Sequence, residues 1–141
     1  MNRRDFFQQA TAAAPFLQAS QVSGRGPLKI TDVKLHLIGS GTRNFCVVKI
    51  DTDQGISGIG EAYSCGPDAA IVAVVQDFRG WLIGQDPRNI EHIYSMMVNF
   101  TRFPGGLVVN AAISGIEHAL WDISGKAAGV RGEGVGAGGG S

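Results

Sequence analysis

Apolar residues in this chain change their period once. Between Leu28 and Ala62 they alternate with polar ones, and from Ile71 onward they recur every three to four positions. In "LKITDVKLHLI" the apolar members are Ile30, Val33, Leu35 and Leu37, a pattern near period two that predicts a strand with one buried face. "GSGTRN" follows as a loop by its glycine and serine content. "FCVVKID" is a second strand, "TDQG" a tight turn in which Gly55 takes positive φ, and "ISGIGEA" a third strand. A turn that short joins antiparallel neighbours, so the three strands form a meander.

The longer period predicts helices. Pro67 and Asp68 are start signals ahead of "AAIVAVVQDFRGWLIG", where Ile71, Val74, Val75, Phe78 and Leu82 fall at helical spacing. "GQDP" breaks the chain, and Pro87 suits the first turn of the next helix. That helix, "RNIEHIYSMMVNF", sets Ile90, Ile93, Tyr94, Met97 and Phe100 on one face. After "TRFPGG" a last helix runs from about Leu107 to Ala128, with Val109, Ala112, Ile113, Ile116, Leu120 and Ile123 inward. The expected fold is therefore α+β, a three-stranded antiparallel meander followed by three helices.

Composition narrows the functional classes. The chain has 141 residues, enough for one compact domain, and 44% of them are apolar, enough for a core. Net charge is zero and the basic residues are scattered, so nucleic-acid binding, which needs a basic stripe, is not expected. Gly, Asp, Arg and Gln interrupt every apolar run before it reaches the length of a membrane span, so no membrane anchor is expected. Cys46 and Cys65 are too few for a disulfide framework or a metal cluster and read as small packed side chains; whether they pair with each other stays open.

Several short strings imitate functional motifs. Gly58-Ile59-Gly60 lacks the third glycine and the following helix of a dinucleotide site. "DTDQGISGIGE" resembles a calcium loop, yet its glycine is at the fifth position rather than the sixth and Glu61 comes one residue early. A hairpin explains those residues better. His36, His92 and His118 lie on separate elements without zinc-like spacing. His118 and Asp122 read as a surface pair, and Ser114-Gly115 as a point of close helix packing. No serine sits in a Gly-x-Ser-x-Gly elbow.

The two ends differ from the middle. "MNRRDFFQQATAAAPFLQAS" pairs Arg3 and Arg4 ahead of an alanine-rich apolar stretch and resembles a twin-arginine export signal, although it shows no clean small-x-small cleavage site. Residues 1–27 are accordingly set aside as a leader, which implies export to the periplasm, or otherwise a cytoplasmic chain. "RGEGVGAGGGS", residues 131–141, has no apolar face. It reads as the product of a shifted frame or a truncated gene, the alternative being a flexible linker.

"VVKIDTDQGISGIGEAYS", "LIGQDPRNIEHIYSMM" and "AISGIEHALWDISGKAAGV" resemble successive parts of the N-terminal capping domain of the enolase superfamily. Within it they are most similar to the mandelate racemase and muconate lactonizing enzyme branch, and there to sugar-acid dehydratases of the galactonate type. The resemblance runs from Leu28 to Val130. It implies an enzyme that removes the proton alpha to a carboxylate, holds the enediolate on a divalent metal, usually magnesium, and expels a beta-hydroxyl with a general acid. Those groups reside on a following (β/α)8 barrel, which needs about 250 residues. Eleven remain here after Val130. The resemblance thus implies no catalytic residue, metal ligand or cofactor in this chain, magnesium only in an intact relative, and a chain inactive by itself.

What the resemblance does place here is a pair of loops that close over the barrel mouth, Gly39 to Asn44 and Tyr63 to Gly66. Arg43 is then the candidate for a substrate carboxylate or hydroxyls, and Ser40, Thr42, Tyr63 and Ser64 for a sugar-acid polyol. The alternative for each is an ordinary solvated loop residue. Glu61 is similar to the family's strand-end acid and is read as structural. Three functional readings stay open: a silent capping domain, a subunit completing a separate barrel chain, and an exported binding or interaction module.

Overall fold

The structure, a computed structural model, describes residues 26–39, 41–102 and 105–129. Most of the leader, Ser40 and the glycine-rich tail lie outside the described residues. Strands β1 (Ile30–Gly39), β2 (Asn44–Thr52) and β3 (Ser57–Ala62) are followed by helices α1 (Asp68–Leu82), α2 (Ile90–Phe100) and α3 (Leu107–Ala127). The strands pair antiparallel in the order β1-β2-β3. The predicted α+β meander with three helices is what forms. Among the described residues no helix is long and apolar enough to cross a membrane.

The helices cover one face of the sheet. Cys46, Val48 and Ile50 of β2 alternate inward and meet Ile71, Val75, Phe78 and Leu82 of α1 and Ile116, Leu120 and Ile123 of α3 in a single core. The helical spacing along α1 and α3 therefore marked most of their core residues, with Val74 and Val109 only partly buried.

β1 departs from simple alternation. Its register with β2 shifts between Ile30 and Asp32, and such a bulge flips the side on which later residues point. Ile30 and Val33, three apart, are consequently both buried. Toward its far end β1 leaves the helix layer behind, so Leu37, predicted inward, is 45% exposed.

Gly55 adopts φ 74° in the β2–β3 turn, as its position predicted. The three carboxylates of the calcium-like string go to three different partners. Asp51 takes Lys49 and the Ser57 hydroxyl, Asp53 accepts from the Lys29 amide, and Glu61 faces Arg43.

The turn after α1 explains "LIGQDP". Gly84, at φ 85°, brings the chain back against the start of β1, where Ile30 exchanges hydrogen bonds with Gly84 and Gln85. Asp86 then folds over its own successor, accepting from the Arg88 amide at 2.9 Å and from the Arg88 guanidinium. That Asx turn occupies Pro87 and Arg88, so α2 begins at Ile90 and Pro87 is not in its first turn. Nor does α2 bury the whole predicted stripe. Ile90, Ile93 and Met97 are inside, whereas Tyr94 and Phe100 are exposed, because α3 covers only the narrower side of this short helix.

β3 and α3 approach through glycine. A Cβ on Gly60 would lie 2.7 Å from the Ala119 nitrogen, and one on Gly115 2.9 Å from the Ala62 Cβ. Gly58-Ile59-Gly60 is thus a seat for a helix. The free edge of β3 is closed by the same helix: Asp122 accepts from the Ile59 amide at 3.0 Å, and Lys126 donates to the Ser57 carbonyl at 2.8 Å. Asp122 also takes Lys126 at 2.7 Å, so its partners are an edge amide and a lysine rather than the predicted His118. Satisfying an exposed edge in this way removes a template for pairing with other chains.

Candidate functional site

Antiparallel order puts the end of β1, the start of β2 and the end of β3 at one pole of the sheet. The β1–β2 loop and the β3–α1 loop therefore rise side by side. Between them lies an open cleft of about 540 Å³, within the ~300–1,000 Å³ span usual for small-ligand sites. Gly41, Thr42, Arg43 and Asn44 line it from one loop, and Ser64, Gly66 and Asp68 from the other.

Gly41 and Gly66 have φ of 87° and 108°, a left-handed conformation that side-chain-bearing residues rarely adopt. Each turns its loop sharply at the rim. Asp68, the first residue of α1, is half-buried beneath them. Its carboxylate accepts from Asn44 Nδ2 at 2.8 Å and from Ser64 Oγ at 2.8 Å. The Asn44 donor foremost, then Ser64, holds the Asp68 carboxyl below its ordinary value despite partial desolvation.

Arg43 is braced from three sides. Its guanidinium stands 5.1 Å from the Phe45 ring centre and 5.8 Å from that of Tyr63. One terminal nitrogen is 3.8 Å from Glu61 Oε1, with both side chains about half exposed. Cation–π contacts of this kind orient a guanidinium without burying it.

Four of the five predicted site residues fall at this pole. Thr42, Arg43 and Ser64 line the cleft. Tyr63, 65% exposed, stands beside it and supports Arg43 rather than lining it. Ser40 lies outside the described residues. Asn44 and Asp68 complete the lining and were not singled out for it; Asp68 read only as a helix-start signal. Its spacing from Ser64, four residues across a helix start, was the available clue. Nothing local points from Asp68 to Asn44.

Cys46 is buried just inside the cleft and Cys65 half-buried; both are free thiols. Burial pushes the Cys46 thiol up, and the neighbouring Asp68 adds to it. Among the described residues no three of His, Cys, Asp and Glu come together as metal ligands.

Residues 20–131 match the family model described as mandelate racemase / muconate lactonizing enzyme, N-terminal domain. The chain is 42% identical to the D-galactonate dehydratase of Variovorax paradoxus over 103 residues, which are 73% of this chain and 26% of that one. It is 40% identical to the D-mannonate dehydratase of Novosphingobium aromaticivorans over 104 residues, with the same coverage of 73% and 26%. An enolase from Pantoea ananatis, solved with bound d-gluconate and Mg, superposes with a TM-score of 0.67 at 39% identity, covering 70% of this chain and 24% of that one. The chain thus spans about a quarter of the length of the relatives it matches.

Proposed function

The chain belongs to the mandelate racemase / muconate lactonizing enzyme N-terminal domain family, and from that premise we propose that it is the substrate-capping domain of a metal-dependent sugar-acid dehydratase or racemase. The observation that carries the reading is the meeting of two loops, distant in sequence, in one polar cleft at a single pole of the fold. Hydroxyl, amide and guanidinium groups line it, donors of the kind that a carboxylated polyol requires, while the Asp68 carboxylate in the same lining is taken up by Asn44 and Ser64. Arg43 takes the carboxylate or adjacent hydroxyls, and an exposed ion pair as loose as its contact with Glu61, worth about 0–1 kcal/mol, is readily exchanged for a ligand anion. Ser40, Thr42, Tyr63 and Ser64 serve the hydroxyl groups.

Chemistry at the alpha carbon is assigned elsewhere. The Pantoea relative was solved with Mg, but the described residues of this chain do not bring three metal-ligating side chains together, so no magnesium-dependent step is routed through them. In this reading the metal and the proton-transferring groups belong to a (β/α)8 barrel partner, and the cap contributes binding and exclusion of water.

A graft tests it. Residues 28–129 would replace the matching quarter of the Variovorax D-galactonate dehydratase, and 2-keto acid formation would be followed over a panel of aldonates. Dehydration of at least one aldonate by a folded graft supports the capping role. A folded, monodisperse graft inert toward every member of the panel overturns it.

The paired arginines carry a second, separate proposal: export of the folded chain by residues 1–27. A reporter fused to that segment should reach the periplasm and lose the ability when Arg3 and Arg4 are both changed to Lys. A reporter that stays in the cytoplasm with the native segment sinks the idea.

A further inference from the structure

The two loops around the cleft meet on one carboxylate, besides the contact of Arg43 with Tyr63. Asn44 opens β2, Ser64 follows β3, and the carboxylate of Asp68 binds them both, Asn44 at Oδ2 and Ser64 at Oδ1. Asp68 itself sits on the best-anchored element nearby, since α1 buries Ile71, Val75, Phe78 and Leu82. The rims of the loops are less firmly held: Gly41, Thr42 and Gly66 are exposed with open space around the two glycines, and Arg43 rests at the surface on Phe45, Tyr63 and Glu61. On the reading that this cleft faces substrate, we infer that Asp68 is a positioning residue for substrate selection, clamping both loops to α1 so that Thr42 and Arg43 stay at a fixed span from Ser64.

The chemistry suits a clamp. Both donors meet an ionised acceptor, which makes stronger and more directional bonds than a neutral one. Those same bonds keep the carboxyl ionised throughout the neutral range. Sub-ångström placement of binding groups depends on supports of this kind, because a loop with a left-handed glycine at its rim can otherwise swing. Asp68 lines the cleft, but its two oxygens are held by Asn44 and Ser64, so removing it should loosen binding more than turnover.

Amide hydrogen exchange on the full 141-residue chain reads the clamp directly. Asp68→Ala should speed exchange in residues 41–44 and 63–66 together by about tenfold, the loss of a hydrogen bond to a charged group, while Val48 and Ile116 stay protected. Asp68→Asn should recover most of the protection, because the Asn44 amide can turn over and accept from the new NH2. Loosening of one loop alone, of neither, or equally in Asp68→Asn would overturn the clamp. Should Asp68→Ala fail to fold, Asn44→Ala and Ser64→Ala decide: each is expected to loosen the opposite loop as well as its own, and loosening confined to its own loop refutes the coupling.

Selection is read in the grafted enzyme. There Asp68→Ala should raise KM for the accepted aldonate about tenfold with kcat nearly unchanged, and narrow the preference among aldonate epimers. A fall in kcat at constant KM rejects a positioning role. An inactive wild-type graft counts against the capping function instead, and leaves the clamp to be judged by exchange alone.

Discussion

Gly60→Ala tests the close approach of β3 to α3. The added Cβ would stand 2.7 Å from the Ala119 nitrogen and 2.9 Å from the His118 Cβ, and would also press on the Gly115 carbonyl oxygen. Against an ordinary 3.4 Å contact the first shortfall is about 0.7 Å. Two of the three atoms are backbone, so no rotamer change relieves them and α3 must move off β3. A gap of 0.5–1 Å costs roughly a quarter to a half of each contact's attraction, and the buried Ile116, Leu120 and Ile123 would all feel it. Overpacking of this kind costs about 1–3 kcal/mol. With backbone on both sides the upper part of that range applies, offset by up to about 1 kcal/mol from the stiffer unfolded chain. The expected net loss is about 1–2.5 kcal/mol, or roughly 5–20 °C in Tm for a domain of this size. Urea unfolding of the 141-residue chain followed by circular dichroism measures it, with an unchanged slope required for the comparison. Gly80→Ala is the internal control. Gly80 lies inside α1 with nothing within 4 Å of its would-be Cβ, so there the substitution should stabilise by about 0.5–1 kcal/mol. If Gly60→Ala matches Gly80→Ala in sign, the close approach of β3 and α3 is wrong.

Three other measurements bear on separate parts of the structure. Asp122→Ala leaves the Ile59 edge amide without its acceptor and should cost about 1 kcal/mol, with faster exchange at Ile59; an unchanged Ile59 amide would show that the helix does not close the edge. The Asp32 carboxyl is held down to about 2 from its ordinary 3.8, by Lys34 first and Arg79 second. Because the folded state depresses it, its contribution is complete above pH 4 and fades as the pH falls toward 2, so the stability gap between the chain and Asp32→Asn should close over that window. The gap at neutral pH should stay below about 1 kcal/mol and shrink with salt, as suits an exposed ion pair; a gap that persists at pH 2 rejects the pairing. Titration with an aromatic disulfide should consume one thiol in the native chain, Cys65, and the second, Cys46, only on unfolding; two fast thiols would place Cys46 at the surface.

Legibility in the sequence followed the range of the physics. Ile71, Val75, Phe78 and Leu82 in α1, and Ile116, Leu120 and Ile123 in α3, were readable because one helix face repeats within a few residues. Gly55 was readable because a tight turn imposes its own dihedral. The bulge after Ile30 was not, since it is set by pairing with Thr52 and Asp51 across the sheet. Pro87 misled because its neighbour Asp86 captures the Arg88 amide and spends both residues on a turn. At the site the two loops were found by resemblance, and Thr42, Arg43 and Ser64 do converge. Asn44 and Asp68 were missed because their bond spans 24 residues and leaves no periodic trace. The paired glycines of β3 were rightly set aside as a dinucleotide motif, but their role, admitting the backbone of α3, depends on a helix more than fifty residues further on and left no local sign.

The same carboxylate that organises the cleft also limits what the cleft can do. A general base acts best with a pKa near the working pH and an open lone pair toward the proton it removes. Asp68 has each oxygen already committed to a donor, and those donors depress its pKa further from neutrality. Glu61 is paired with the Arg43 guanidinium. The carboxylates of this pole are therefore poorly suited to take a proton from carbon. On the proposed capping role, the rim must adapt to a ligand while the loops that carry it stay in place. A clamp at the base of the loops reconciles the two demands. It lets the rim residues Thr42, Arg43 and Tyr63 vary while Asn44, Ser64 and Asp68 keep whatever stands there at the same span.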